Sequence, residues 1–385
     1  MINSYKKNGV IGLILMLTVL LGGCSDKDLP NQGEPLIEYI RVSKPESSDS
    51  LLIGASQGSL IAIVGQNLQD TREIWFNDQR ASLTPTYVSA QSILVRTPSN
   101  IPTEINNKMT LVFGNGQRLE HNFKIEISKP VVSAMNSEFV LTGEIATIRG
   151  NYFYPPLTVT FAGNVEGEVV SVDDQLMQVR IPEGALPGQI VVKTNFGEAK
   201  SDFWFRDNRN IFLSSDPFTG WWNKDFVVSN PGEGDPKAIN GNYIRVKKII
   251  PSWAWTEVAG GPPDAMGPIS KNIPDEAILS PDKYNLKFEV NTIKPYTANV
   301  LKLNIGLSDF NNDQFTWMPP YDTKGEWKTV VIPFEELAAA YEKAGVKMRV
   351  NPNGYHTRLL FHGGGELDCD ISFDNFRIVP KIIKE

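Results

Sequence analysis

Short apolar runs separated by turn-forming residues fill the chain from Leu36 to about Arg206. The runs are bounded by Gly, Pro, Asn and Asp, and no long helical period interrupts them. Apolar runs of about four to eight residues between turn signals are typical of strands, and many such strands at short intervals are typical of antiparallel β-sandwiches. We therefore predict an all-β structure for this part of the chain.

An internal repeat divides this β-rich region into two copies. The offset between matching segments falls slowly along the chain, as loop trimming between two copies of one domain would produce. It is 85 residues for 59–68 and 144–153, 84 for 95–98 and 179–182, and 81 for 113–116 and 194–197. We place the two copies at residues 36–127 and 128–206.

The pattern changes near Asn208. Six of the eight tryptophans lie beyond that point: Trp221, Trp222, Trp253, Trp255, Trp317 and Trp327. Strand-like runs continue at 284–290, 300–307, 327–332, 357–361 and 371–379, and the run of strong helix formers at 334–341 predicts one helix. Residues 207–385 are therefore predicted to form a third β-sandwich, in which we expect the function to reside.

The N-terminal segment has the pattern of an export signal. Two lysines, Lys6 and Lys7, precede a twelve-residue apolar run that ends at Leu21. Such a run is too short to span a bilayer as a mature helix, so residues 1–23 are predicted to be a signal peptide. The polar stretch that follows it, up to residue 35, is predicted to be an extended tether.

Composition and charge narrow the classes of function. The 385 residues are 41% hydrophobic and 21% charged, which is typical of several globular domains. Lys and Arg number 37 against 44 Asp and Glu, so we predict no nucleic-acid partner. Three histidines without zinc-ligand spacing predict no metal site, and no cofactor is expected. Of the two cysteines, Cys369 is predicted to be a buried, inert thiol.

Two local motifs resemble known sequence families. Leu21-Gly22-Gly23-Cys24 resembles the bacterial lipobox, which implies a diacylglycerol anchor on Cys24; the alternative is a buried free cysteine. The recurring strand, Gly, Asn and aromatic or Leu, followed by Val-Arg-x-Pro, resembles the immunoglobulin-like IPT/TIG domain. That resemblance implies two tandem sandwiches that act as spacers, with a direct ligand site on them as the alternative.

The C-terminal region resembles jelly-roll carbohydrate-binding modules. The segments that carry the resemblance are 212–226, 241–243, 325–333 and 372–378. Together with the lipobox, the acidic segment 25–28 and the two spacers, they resemble the surface glycan-binding proteins of Bacteroidetes polysaccharide utilization loci, the SusE/SusF-positioned SGBP-B type. The family implies a lipid-anchored protein on the outer face of the outer membrane that binds a plant cell-wall β-glucan, either mixed-linkage glucan or xyloglucan, without cleaving it. It would capture the glycan for surface enzymes and a TonB-dependent importer, and it admits a SusC/SusD-like import complex as a partner.

Aromatic side chains are the candidate ligand contacts, because a flat ring buries the apolar face of a sugar while the sugar hydroxyls stay accessible. Trp317 and Tyr321 are the first choice, since they lie in a polar loop with a Pro-Pro pair. Trp253 and Trp255 form a pair two residues apart, which places both on one side of an extended segment. Trp222 is a further candidate. The alternative for each ring is a place in the core.

Two other classes of function remain open. A glycoside hydrolase or polysaccharide lyase would need a pair of suitably spaced carboxylates or an equivalent group, and no recognisable acid or nucleophile motif is present. A protein-binding adhesin would use the IPT/TIG-like domains as its contact surface. We predict that the protein is not an enzyme.

Overall fold

The fold was analysed in a computed structural model, which describes residues 33–43, 50–221, 224–306 and 315–383. The chain divides into two compact units, with the boundary between Ile127 and Ser128. Within the described ranges no helix is long and apolar enough to cross a membrane. The predicted all-β fold is confirmed, since strands account for most of the regular structure.

The first unit is a small β-sandwich of nine strands. One sheet has the order β1-β3-β6, a second has the order β5-β4-β7-β8, and β2 pairs with β9 in parallel. A core of buried aliphatic and aromatic side chains, among them Ile63, Leu111 and Phe123, lies between them. The strands are β1 (Leu36–Val42), β2 (Gly54–Ser56), β3 (Leu60–Gln66), β4 (Thr71–Phe76), β5 (Gln79–Arg80), β6 (Ser92–Arg96), β7 (Lys108–Phe113), β8 (Arg118–Asn122) and β9 (Lys124–Glu126), with a 3-10 turn at Pro85–Tyr87.

The second unit begins with another small sandwich. Its seven strands follow the order β10-β11-β14-β13-β12-β15-β16, and β13 pairs with strands on both halves of the sandwich. A separate buried core, which includes Ile148, Phe161 and Phe205, fills it. The strands are β10 (Val131–Met135), β11 (Ile145–Asn151), β12 (Leu157–Ala162), β13 (Val165–Val172), β14 (Leu176–Arg180), β15 (Leu186–Thr194) and β16 (Gly197–Lys200).

The rest of the second unit is a larger sandwich of two sheets. One sheet has the order β18-β19-β26-β21-β24 with β17 paired to β26, and the other has the order β20-β25-β22-β23. The strands are β17 (Ile211–Leu213), β18 (Val227–Val228), β19 (Tyr243–Ile250), β20 (Thr256–Gly261), β21 (Tyr284–Thr292), β22 (Leu301–Gly306), β23 (Phe315–Trp317), β24 (Lys328–Pro333), β25 (His356–Phe361) and β26 (Leu367–Pro380). A core that contains Phe288 and Phe373 separates the sheets.

Helices play a minor part in this larger sandwich. The helix predicted at 334–341 is present as α3 (Phe334–Lys343), and its residues Phe334, Leu337 and Tyr341 are buried against the core. Two short helices were not predicted, α1 (Pro263–Met266) and α2 (Asp275–Leu279). They lie in the connection between β20 and β21, together with 3-10 turns at Gly267–Lys271 and Pro281–Lys283; a further 3-10 turn is at Lys224–Phe226.

A buried charge cluster joins the second small sandwich to the large one. The two carboxylate oxygens of Glu138 lie 2.5 Å from the Lys287 ammonium and 2.6 Å from the Arg377 guanidinium. Arg377 also lies 3.0 Å from Glu289, and all four side chains are almost fully buried. Buried charges are tolerated when they are paired with each other. The two sandwiches are therefore joined by buried charges from both sides, each of which depends on its partner to offset the cost of burial.

Candidate functional site

The sheet β20-β25-β22-β23 has one apolar and one polar face. Leu301, Leu303 and Leu359 point into the core between the two sheets. Successive residues of a strand face opposite sides, so the neighbours of these leucines, Lys302 and Arg358 among them, lie on the other face. The polar side chains of that face, which we call the polar face, are Glu257, Lys302, Asn304, His356 and Arg358. Glu257 is half-buried, and the other four are at most 8% exposed.

Two exposed tryptophans stand at one end of the polar face. Trp253 is 66% exposed and Trp255 is 51% exposed. Their ring centroids lie 5.6 Å and 4.9 Å from the ring of His362, which follows β25, so both indoles are on the same side of the sheet. The structure thus brings together two of the residues selected from the sequence.

A turn, and not an extended segment, presents Trp253. The backbone N–H of Ala254 donates to the carbonyl of Pro251 at 3.0 Å, and Trp253 has a φ of +61°. The interpretation of this segment as extended is therefore wrong, because the chain turns sharply before β20 begins. The N–H of Trp253 donates to the carbonyl of Gly363 at 2.7 Å, and a side chain at Gly364 would touch the indole at 3.6 Å. The glycine run after β25 therefore leaves room for this ring to pack against the backbone.

Polar contacts fix the second indole. The indole N–H of Trp255 donates to a carboxylate oxygen of Glu257 at 2.7 Å, and the guanidinium of Arg358 lies 5.0 Å from the ring centroid. Burial raises the pKa of Glu257, while the Trp255 hydrogen bond and the charge of Arg358 oppose that shift. Trp255 is therefore held by a hydrogen bond and a cation–π contact, which pre-organise its exposed face.

The remaining polar groups of the polar face are buried. The ammonium of Lys302 lies 2.9 Å from Nδ1 of His362. Burial, together with the nearby charge of Arg358, lowers the pKa of His356 to about 4, so this imidazole is neutral near pH 7. The accessible groups are the two exposed indoles and the half-buried His362, and such a combination can hold an amphipathic, hydroxyl-rich ligand.

A third exposed indole lies at the other end of β20. Trp221 is 58% exposed, and its backbone N–H donates to the carbonyl of Gly260 at 3.0 Å. The residue selected from the sequence was its neighbour Trp222. Trp222 lies outside the described residues, as do Cys24 and the polar loop at 307–314. Exposed indoles therefore flank both ends of β20, about 16 Å apart at ~3.3 Å per residue.

Trp317 and Tyr321, the first choice from the sequence, lie elsewhere. Trp317 pairs with Leu301 across β22 and β23, and Leu301 faces the core. Its ring lies 5.5 Å from Phe288 and 5.3 Å from Tyr296, and the Tyr321 ring is 4.9 Å away. Both side chains are half-buried against the core, so their contact with a ligand stays a prediction.

Other reactive groups in the described part of the chain are structural. Cys369 lies on β26 and is buried, and burial raises the pKa of its thiol to about 12. The prediction of an inert core thiol is confirmed. Across the described ranges, no three His, Cys, Asp or Glu side chains come together as a metal site.

An exposed aromatic pair on a β-sandwich is typical of carbohydrate-binding domains. Residues 205–380 match the family model described as the surface glycan-binding protein B xyloglucan binding domain. The match lies on the C-terminal domain, and it supports the SGBP-B type of surface glycan-binding protein that the sequence resemblance predicted.

Individual proteins are also similar to this chain. An IPT/TIG domain-containing protein of Bacteroides ovatus is 25% identical over 151 residues, which are 38% of this chain and 30% of that protein. The match thus spans about a third of the length of that curated relative. The crystal structure of the surface glycan-binding protein PbSGBP-B from Prevotella bryantii is 22% identical, with a TM-score of 0.66 over 90% of this chain and 99% of that one, so the fold is shared. SGBP-B from a complex xyloglucan utilization locus in Bacteroides uniformis is 18% identical, covers 90% of this chain and 100% of its own, and has a TM-score of 0.49.

Proposed function

We propose that the C-terminal domain binds a plant cell-wall β-glucan, of the mixed-linkage glucan or xyloglucan class, along β20 on the polar face. The observation that carries this proposal is the exposed pair Trp253 and Trp255, whose rings both lie against His362 on one side of the sheet. The indoles stack on sugar rings, and the half-buried His362 beside them can hydrogen-bond to the hydroxyls. The matching family model, which is named for xyloglucan, supports this class of ligand.

The energetics of stacking predict weak recognition by each site. Burial of apolar area at ~25 cal/mol per Å² gives roughly 1–2 kcal/mol for each stacked sugar. After the costs of association, two or three platforms reach millimolar to micromolar affinity at about 1.4 kcal/mol per decade. Many copies on one surface would then hold a polymer by avidity.

We propose that binding is not followed by cleavage. A glycosidase of the usual kind needs two carboxylates about 5–9.5 Å apart. On the described strands of the polar face, Glu257 is the one carboxylate, and it is committed to the indole of Trp255. This arrangement supports capture of the glycan as the role of the site.

We further propose that the protein works at the cell surface, anchored in the outer membrane by lipid on Cys24. The segment Leu21-Gly22-Gly23-Cys24 and the polar tether after it support this location. The captured glycan would pass to surface enzymes and a TonB-dependent importer of the SusC/SusD-like kind. Incorporation of labelled lipid into the wild-type chain, and its loss in Cys24→Ala, would test the anchor.

Affinity electrophoresis tests the glycan proposal. Residues 25–385 should be retarded in gels that contain xyloglucan or mixed-linkage glucan. Trp255→Ala and Trp253→Ala should each lower the affinity tenfold or more, which is ~1.4 kcal/mol. Trp75→Ala, in the first sandwich, is the control and should migrate like the parent. Free migration of the parent in every glycan gel would refute binding, and release of reducing ends or unsaturated products would favour an enzyme.

A further inference from the structure

A second aromatic cluster lies on the second small sandwich, away from the polar face. It consists of Tyr152, Tyr154 and Phe196, which we call the Tyr152 patch. Ring centroids are 6.0 Å apart between the two tyrosines and 5.9 Å apart between Tyr154 and Phe196. Tyr152 is 37% exposed, and the other two rings are half-buried. The patch forms where β11 ends beside the tip of the β15–β16 hairpin.

The backbone at the centre of the patch is unusual for the residue it carries. Tyr152 has a φ of +62°, in the left-handed region. Bulky residues are genuine outliers there, whereas Asn takes this conformation readily. Residues held in such conformations cluster at functional sites, because the fold must stabilise them by other means.

The first sandwich provides an internal comparison, because the two copies make the same backbone hydrogen bonds. The N–H groups of Leu68 and Phe153 donate to the carbonyls of Ala90 and Asp174, at 3.0 Å and 3.2 Å. Leu68 and Phe153 are both fully buried, so the core position is apolar in both copies. Structural equivalence at this corner therefore follows from geometry as well as from the repeat in sequence.

The surface positions of the patch differ completely between the copies. Asn67 stands where the second sandwich has Tyr152, and it has nearly the same φ, +59°. Gln69 and Asn115 correspond to the other two aromatic positions, Tyr154 and Phe196. The same fold thus forms with three amide side chains at this corner, so folding does not require the aromatic residues.

We infer that the Tyr152 patch is a second carbohydrate site, which takes a neutral segment of the same polysaccharide that the polar face captures. The inference rests on the proposed function. The tyrosine rings are tilted by 52° to each other, and burial, together with the nearby carboxylate of Asp174, raises the pKa of the Tyr154 phenol. The first sandwich has Ala90 at the position of that carboxylate. Rings with hydroxyl and carboxylate groups beside them match the mixed apolar and polar surface of a sugar.

The position of the patch favours a polymer as the occupant. Asn151 pairs with Val131 at the beginning of β10, whereas the carbonyl of Asn136, just beyond the other end of β10, accepts a hydrogen bond from Thr329 of the large sandwich. The patch and that interface are therefore separated by about 17 Å along the chain from Val131 to Asn136, at ~3.3 Å per residue. A long glycan held on the polar face is present at high effective concentration near the patch, whereas a short oligosaccharide is not.

The test transplants the corner of the first sandwich into the second. The triple variant Tyr152→Asn, Tyr154→Gln, Phe196→Asn is made in residues 25–385, alone and combined with Trp253→Ala and Trp255→Ala. Gels that contain xyloglucan or mixed-linkage glucan give the apparent dissociation constants. The triple variant should weaken binding threefold or more, and in the combined background it should abolish the residual retardation. Tyr87→Asn, at an exposed tyrosine of the first sandwich, is the matched control and should leave retardation unchanged.

The possible outcomes separate this inference from the proposed function. The single variant Tyr152→Asn is the control for misfolding, because Asn adopts the left-handed backbone readily. The melting temperature of this variant should equal or exceed that of the parent. Unchanged retardation of the single and triple variants in both backgrounds would overturn the second site and leave the first intact. If the parent itself runs freely in every glycan gel, both proposals fail together.

Discussion

Two exposed aromatic residues, Trp253 and Tyr152, adopt the left-handed backbone conformation. Each carries a cost of order 1–3 kcal/mol that the surrounding structure must offset. The sequence draws attention to Trp253 because tryptophan is concentrated in the C-terminal region. It offers a weaker signal for Tyr152, which becomes apparent when the repeat aligns it with Asn67. The backbone angle itself is set by the fold and could not be predicted from either pattern.

His356 gives a prediction for the pH dependence of stability. Its pKa is about 4 in the folded chain, below the ordinary value of 6.5, chiefly because of burial. On acidification the unfolded chain binds the proton first, so the stability contributed by this residue is lost as the pH falls from about 6.5 towards 4. Thermal unfolding of the parent and of His356→Gln at several pH values measures the effect.

The parent must be compared with His356→Gln because protonation of Glu289 and Asp374 changes the free energy of unfolding in the opposite direction. Burial raises the pKa of both carboxyls, so they favour the folded state as the pH falls. The free energy of unfolding of the parent should therefore fall more steeply between pH 6.5 and 5 than that of His356→Gln. Parallel curves for the two chains would contradict the shifted pKa.

At the scale of elements, alternation along the sequence predicted strands well but did not say which face each residue occupies. The runs at 284–290 and 357–361 lie in β21 and β25 almost as predicted. Trp317 follows a polar segment and a Pro-Pro pair follows it, which suggested an exposed ring. Its face is set by pairing with Leu301 on β22, and strand register depends on contacts that a local pattern does not contain.

Trp317→Ala distinguishes packing from ligand contact. The sequence predicts a tenfold loss of glycan affinity with the fold intact, whereas the contacts with Phe288 and Tyr296 predict a loss of stability. For a half-buried ring we expect about 1–3 kcal/mol, less than the cost of a fully buried one. Denaturant unfolding measures that loss, and gel retardation measures the affinity of the same sample. An unchanged unfolding midpoint with weakened retardation would favour the role predicted from the sequence.

At the scale of the whole molecule, the charge cluster at Glu138 sets how the domain that binds glycan is supported. Glu138 and Arg377 are 239 residues apart in sequence yet form an ion pair in the interior. No periodicity or spacing could reveal it, because each residue looks like an ordinary charged position within a strand pattern. The division at 206/207, drawn from the change in sequence character, runs between two sandwiches that share this cluster and lie in one compact unit.

The charge cluster predicts that the large sandwich is more stable together with the second small one. In residues 207–385 alone, Arg377, Lys287 and Glu289 would lose Glu138, and the surface that buries them would open to water. Residues 128–385 should therefore unfold at a higher denaturant concentration than residues 207–385.

Within the longer fragment, Glu138→Gln should lower the free energy of unfolding by about 3–5 kcal/mol, since it leaves buried cations incompletely paired. Lys237→Gln removes an exposed ion pair with Glu144 between the same two sandwiches and should leave the unfolding midpoint almost unchanged. Equal unfolding midpoints for the two fragments would show that the cluster adds no stability, and the glycan-binding domain would then be an independent folding unit.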